Sequence, residues 1–318
     1  MPLKSAMPAL CVLLVFSCTT KLKEAPLFTH HIRDGQLELF MGNQEVLTYH
    51  FKTAYPPVGV DSAYQRSAFI HPLQTPNGKT LTRIQPEDHY HHYGIWNPWT
   101  HTLYDKDTLD FWNLVKKEAT VRFAKFDTIM DNGYKVLHEH VVLKADKNEI
   151  ALNEWQTIEL QTGTDSTNYR VNLKFDYKCA TEKPFKILEY RYGGLGWRAT
   201  EEWNNQNSEV LTSEGKTRSD ADGSLARWLI VQGILGNGTG GVLMLSHPDN
   251  FNHPEPLRIW PEDVYDRGDM FACFFPTKYS DWLLEPGNIY SLKYQLVVFD
   301  GLLDADKAET FWQEFANK

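Results

Sequence analysis

The stretch EDHYHHYGIWNPW, Glu87 to Trp99, holds three histidines within four positions, His89, His91 and His92, and His101 follows shortly after. Imidazole can bind a metal ion, carry a proton near neutral pH or donate a hydrogen bond. Trp96 and Trp99 add flat apolar faces of the kind that stack on a sugar ring. In an extended chain His89 and His91 point to one face and His92 to the other. An H-x-H pair lets two imidazoles reach one ion, but a complete site needs a third ligand. Glu87, His101, His247, Asp249 and His253 are candidates for it, none at a diagnostic spacing. Three readings stay open: a divalent metal site built on His89 and His91, histidines doing acid/base work without metal, and histidines that serve only the fold.

A second stretch, SHPDNFNHPEPLRIWPED from Ser246 to Asp263, contains four prolines. They keep it out of regular structure and remove backbone donors. His247, Asn250, His253 and Trp260 would then sit on a stiffened loop, which costs less entropy to order around a ligand. A Pro-rich rim loop with no ligand is the plainer alternative. In RYGGLGWRA, Arg191 to Ala199, the glycines read as a strand end followed by a bulge or tight turn, from which Trp197 and Arg198 project. Arg198 could fork onto a carboxylate or sugar hydroxyls, or be a surface arginine. The chain has no G-x-S-x-G elbow and no Walker A loop. Glu189, Glu201 and Glu262 are scattered further acid/base candidates.

The elements that must position these groups are strands. Segments such as GQLELFMG, YKVLHEHVVLKA, ALNEWQTIELQT, YRVNLKFDYKCAT, FKILEYRYGG and IYSLKYQLVVF are short, rich in β-branched and aromatic residues, and bounded by turn residues. Asp131 to Gly133 reads as a hairpin turn, and Asn237 to Gly241 as a turn between two strands. TLDFWNLVKKEA has room for a short helical turn. The clearest helix begins at Asp304, an N-cap candidate, with Ala308, Phe311 and Phe315 at helical spacing. The expectation is all-β: one large antiparallel β-sandwich over residues 28–318 with a C-terminal helix. Three long non-strand segments, roughly residues 55–104, 199–224 and 247–276, interrupt it, and the first and third carry the candidate histidines.

Residues 1–17 read as a secretory signal peptide with a short apolar core. VFSC, ending at Cys18, has the pattern of a bacterial lipobox, so Cys18 is the expected lipidation site and residues 18–27 a polar tether. That implies a cell-envelope protein, periplasmic or outer-surface, held to the membrane only through its lipid. Cys179 and Cys273 then remain, either paired or as two buried thiols. A net charge of −9 on 318 residues argues against a nucleic-acid partner. The 10 Trp, 15 Tyr and 17 Phe suit half-buried strands and, at some positions, sugar binding.

Three segments together, FIHPLQTPNGKTLTRIQPEDHYHHYGIW, GVLMLSHPDNFNHPEPLRIW and LEPGNIYSLKYQLVVFDG, resemble a family of uncharacterised bacterial proteins often labelled PmoA. The label implies a methane oxygenase, yet no 18-residue apolar run follows the N-terminal segment, so membrane methane oxidation is not expected. The resemblance implies a sandwich similar to the galactose mutarotase-like supersandwich. Mutarotases use a His acid and a Glu base, the Glu lying on the strand before an L-x-PG turn. Here that place is GDMFACFFP, whose only carboxylate is Asp269. The positions that match the motifs are Arg83, His89, His91, His92, Trp96, Arg198, His247 and Asn250. The functional expectation is an exported carbohydrate-active protein, leaning to an enzyme (hydrolase, lyase or isomerase). His89, His91 or His92 would be its acid or base. Arg83, Arg198, Trp96, His247, Asn250, His253 and Trp260 would hold the sugar. The alternatives are a sugar-binding lipoprotein without catalysis and a metal-dependent enzyme on His89 and His91. No cofactor is expected beyond that divalent metal.

Overall fold

The computed structural model describes residues 27–318. The segment expected to be a signal peptide, Cys18 as the expected lipidation site, and all but Leu27 of the expected tether lie outside the described residues. Among those described, the chain forms three antiparallel sheets of nine, eight and four strands and one α-helix. The nine-stranded sheet runs, edge to edge, Phe28–Arg33, Gln36–Met41, Gln44–His50, Phe69–Leu73, Ile95–Trp96, Leu195–Arg198, Phe271–Phe274, Glu255–Ile259 and Leu225–Ala226. The eight-stranded sheet runs Ser208–Thr212, Trp228–Leu235, Gly238–Ser246, Tyr290–Asp300, Asn168–Cys179, Glu149–Thr162, Gly133–Val142 and Ala119–Met130.

Period-2 alternation decides which face of each strand is inside. Along Glu149–Thr162 the buried residues are Ala151, at a bulge, and then Leu152, Glu154, Gln156, Ile158 and Leu160, with half-exposed residues between the last five. The two large sheets pack these inner faces together as a sandwich. Tyr49 of one packs tilted against Tyr134 of the other, ring centres 4.6 Å apart, and Phe274 stacks on Tyr294 at 5.9 Å. The Tyr169 hydroxyl crosses between them, donating to the carbonyls of Val46 and Gln74.

The helix Ala305–Ala316 starts at Asp304, whose carboxylate accepts from the Lys307 backbone N–H as an N-cap should. Ala308, Phe311 and Phe315 lie against Trp228, Ile230, Leu243, Leu245 and Val297 on the outer face of the eight-stranded sheet. Burying each phenylalanine there contributes about 1.5–3 kcal/mol.

The short helical turn is present as a 3-10 turn, Leu114–Lys116. The Asp131 hairpin turn joins Ala119–Met130 to Gly133–Val142. Three local expectations need correction. The turn near Asn237 comes earlier, at Gly236 and Asn237, and Gly238 to Gly241 already pair as strand. FKILEYRYGG is strand only over Phe185–Ile187. RYGGLGWRA is no surface bulge: Leu195–Arg198 is a central strand, and Trp197 and Arg198 are buried. Gly196 is needed there because a Cβ would meet the Trp112 ring at 2.7 Å. Cys179 and Cys273 are separate buried thiols.

Candidate functional site

The opening histidines are not extended. Pro86 starts a turn closed by His89 N–H on the Pro86 carbonyl, and a second turn follows at once, closed by His92 N–H on the His89 carbonyl, both at 2.9 Å. The base of this loop is pinned by Gln85 N–H on the His92 carbonyl and by Gly94 N–H on the Arg83 carbonyl. Gly94, at φ +59°, passes so close to the Ile70 carbonyl that a Cβ would overlap it. Folding back twice removes the two-faced arrangement of a strand. All three rings converge, with centroids 5.2 Å (His89–His91), 4.6 Å (His89–His92) and 4.8 Å (His91–His92) apart. One nitrogen from each ring lies within 4.8 Å of the other two. The group that joins the His89/His91 pair is His92, and not Glu87, His101, His247, Asp249 or His253.

These rings line a cavity of about 150 Å³. Its walls are largely aromatic: Trp112, Tyr192, Trp260, Tyr265 and Phe271, with Asn113, Arg191 and Arg258 as the other polar groups. The Trp260 indole lies 4.9 Å from His89, and Phe271 stacks on His92 at 5.2 Å.

A chain of alternating charges runs back from the rings. His89 Nδ1–H donates to Asp88 at 2.8 Å, and Arg198 donates to both Asp88 oxygens at 2.9 and 3.0 Å. The same Arg198 nitrogen reaches Asp269 at 2.6 Å, and Asp269 also takes Arg267 at 2.7 Å and Arg83 at 3.4 Å. Burial works to raise the Asp88 carboxyl, but the bonds from His89 and Arg198 outweigh it and hold it at about 2. Burial, then the neighbouring His89, pulls His91 down to about 4. Burial, then His91, takes His92 well below the usual histidine range. The latter two rings are therefore neutral at pH 7, with lone pairs to offer. With Nδ1 committed to Asp88, His89 presents Nε2 to the cavity, where the Tyr265 hydroxyl is 3.3 Å away. His92 Nδ1 is buried with no partner. A buried ring nitrogen without a partner is costly unless something fills the space beside it.

The sequence candidates divide in space. His89, His91, His92 and Trp260 share the cavity. Trp96 lies behind it, 1% exposed, between His92 and Trp112, and has no face for a sugar. Arg198 is equally buried, its guanidinium 4.6 Å from the centre of the Trp260 ring, and holds Asp88 rather than a ligand. Arg83 lines a different cleft with His71, Glu87 and Glu201. Asp269, in the place of the mutarotase Glu, is enclosed by three arginines and is not a free base. His247, Asn250 and His253 join none of this. Asn250 bonds Glu255 and the Lys293 backbone, His247 packs on Phe315, and His253 stacks on Trp312 of the helix. The reason is the strand Glu255–Ile259, which carries the chain roughly 17 Å at about 3.3 Å per residue before Trp260 arrives at the cavity. Asp88, Trp112, Asn113, Arg191, Tyr192, Arg258, Tyr265 and Phe271 escaped sequence reasoning. Only Asp88 had a local signal, as the carboxylate adjoining the histidines.

The chain matches the "Family of unknown function (DUF6807)" over residues 36–313, and belongs to that family. The PmoA resemblance therefore rests on the sequence motifs alone. No curated protein matches. Among solved structures it is similar to a heparan sulfate lyase from Pedobacter heparinus, with TM-score 0.39 and 9% identity over 89% of this chain and 38% of that one. It is also similar to an α-galactosidase from Geobacillus stearothermophilus in complex with raffinose, with TM-score 0.32 and 10% identity over 86% of this chain and 41% of that one. The chain thus spans less than half the length of these structures.

Proposed function

We propose that this member of the DUF6807 family is a carbohydrate-active enzyme of the cell envelope, tethered by a lipid on Cys18, whose centre is a divalent metal ion held by His89, His91 and His92. The observation that carries the metal is the convergence of three ring nitrogens, one from each of His89, His91 and His92, within 4.8 Å of one another. In a tetrahedral site with metal–nitrogen distances near 2.0–2.1 Å, ligand nitrogens lie about 3.4 Å apart, so the cluster has only to close by rotation of its rings. Asp88 fits the usual support for such a ligand, a carboxylate that takes the far N–H and fixes the tautomer. Three protein ligands leave a coordination position open toward the cavity, where the ion would polarise a sugar oxygen or a bound water. The walls suit a pyranose: Trp260 gives a flat apolar face, while Asn113, Tyr192 and Tyr265 give hydroxyl and amide partners.

A second reading keeps the pocket and drops the ion. The Asp88–His89 pair at 2.8 Å has the form of a carboxylate orienting an imidazole base. Elemental analysis of the purified full chain separates the two. Stoichiometric divalent metal, with turnover on a glycan panel lost to a chelator and restored by the ion, supports the metal reading. Turnover by metal-free protein that no ion improves leaves the Asp88–His89 base. Glycan binding with no turnover under any condition leaves a sugar-binding protein.

A further inference from the structure

The cavity's charge is unlike that of the molecule. The whole chain is at −9, yet among the described residues the cavity is lined by two guanidinium groups and no carboxylate. The nearby carboxylates are engaged. Asp88 is held by Arg198 and His89. Asp110 accepts from the backbone of Trp112 and Asn113 and pairs with Lys116 at 2.8 Å. Asp222 pairs with Arg258 at 2.6 Å, accepts from the Ile259 N–H and has Lys278 at 3.6 Å. Arg191 has no carboxylate within ion-pair distance among the described residues. Its guanidinium stands exposed beside the Tyr192 and Tyr190 rings, 5.4 and 5.9 Å from their centres, and its carbonyl accepts from Lys278. Arg258 and Lys278 thus share one carboxylate, Asp222, and Arg191, which lines the pocket with Arg258, has none within ion-pair distance among the described residues.

A neutral sugar gives no reason for this. Its hydroxyls are served by amides, phenols and imidazoles, and an uncompensated guanidinium beside them is only like-charge repulsion for Arg258 and Lys278. The guanidinium fork matches an oxyanion, to which it gives two parallel charge-assisted bonds. An acidic protein also repels an acidic glycan in general, so a local positive patch is what lets one approach.

We infer that the sugar bound here carries an oxyanion, either the carboxylate of a uronic acid or a sulfate ester, received by Arg191 and Arg258 at the side of the cavity. This rests on the assignment of the cavity to a sugar. It does not depend on the metal or on turnover.

The test uses the full chain and calorimetric binding of matched pairs: oligogalacturonate against its methyl ester, and a sulfated galactan oligosaccharide against its desulfated form. In at least one pair the charged member binds about tenfold or more tighter, the scale of one charge-assisted contact. The pair that discriminates identifies carboxylate or sulfate as the group. Arg191→Gln, at an exposed position, removes most of that preference while the melting temperature stays put. Arg258→Gln does the same; if it fails to fold, Arg191→Gln decides alone. Equal affinity within both pairs, a preference that survives Arg191→Gln, or no binding of any charged member overturns the inference. Turnover confined to neutral sugars would leave the enzyme standing and remove the anion. Arginine-dependent binding without turnover would do the reverse.

Discussion

Two histidine clusters among the described residues, one inside the sandwich and one at the cavity, are built in opposite ways. Inside the sandwich, His138 and His140 form an H-x-H pair on a true strand, both rings facing the core as period 2 requires. Glu154 on the neighbouring strand accepts from His138 at 3.1 Å and from His140 at 2.8 Å, and Tyr49 of the opposite sheet completes His138 at 2.7 Å. The surface cluster, His89, His91 and His92, sits on two turns, has its carboxylate to one side and opens onto a cavity. Strand geometry gave the buried pair a protein partner of its own. Turn geometry gave the surface trio a shared space instead. The same residue type in the same H-x-H spacing is cohesive in one place and available to a ligand in the other.

Stability measurements separate the two clusters, and the largest difference comes from the buried one. Glu154→Ala leaves two histidines facing each other without a carboxylate in a dry core and is expected to cost about 3–5 kcal/mol in denaturant unfolding. Metal binding by the surface trio stays unchanged in whatever fraction folds. If Glu154→Ala melts like the parent, the buried network is not cohesive and the contrast fails.

Acid unfolding is the next effect. Burial pushes Glu154 upward, but the hydrogen bonds from His138 and His140 outweigh it and hold the carboxyl at about 2 against an ordinary 4.5. A carboxyl depressed in the folded state contributes stability above its unfolded pKa and loses it as the pH falls. The loss should run from near pH 4.5 down toward 2, reaching about 3 kcal/mol at about 1.4 kcal/mol per unit. His140, lowered chiefly by burial, adds to it from pH 6.5 downward, because the unfolded chain takes up a proton that the core refuses. Melting curves across that range in parent and Glu154→Gln should converge at the acid end; parallel curves would contradict the assignment.

The smallest stability effect is expected at the surface. His91→Ala removes a half-buried ring from a turn whose backbone bonds remain, and should shift unfolding by less than about 1 kcal/mol. The same change should weaken metal binding by about a hundredfold or more and abolish turnover. A large loss of stability with metal affinity intact would make the trio structural and erase the distinction.

How much of this the sequence disclosed follows the range of the interactions. The strands, the Asp131 hairpin and the helix from Asp304 are set by neighbours within a few residues, and patterning exposes them. The histidine trio was visible as a density, but its geometry was not. A strand and a pair of turns are both compatible with HYHH, and the choice is made by the pinned base at Gln85, Tyr93 and Gly94. The partition of the second histidine stretch was hidden for a related reason. Nothing local says that Glu255–Ile259 enters the sheet and parts His247 and His253 from Trp260. Asp88 and Arg198 stand 110 residues apart in the chain, and only the meeting of the histidine loop with the central strand joins them.

The double turn from Pro86 to His92 has an evolutionary consequence. The distances among the three rings are fixed by the count of backbone atoms between two hydrogen-bonded closures, and only secondarily by packing of the side chains. Drift by substitution is therefore permitted at Glu87 and Tyr90, which line the neighbouring cleft with Arg83 and not the histidine cavity. Drift by insertion or deletion is not, because one residue more or fewer would rotate a single imidazole out of the trio while the sheets beneath folded as before. This loop behaves as a ruler of constant length.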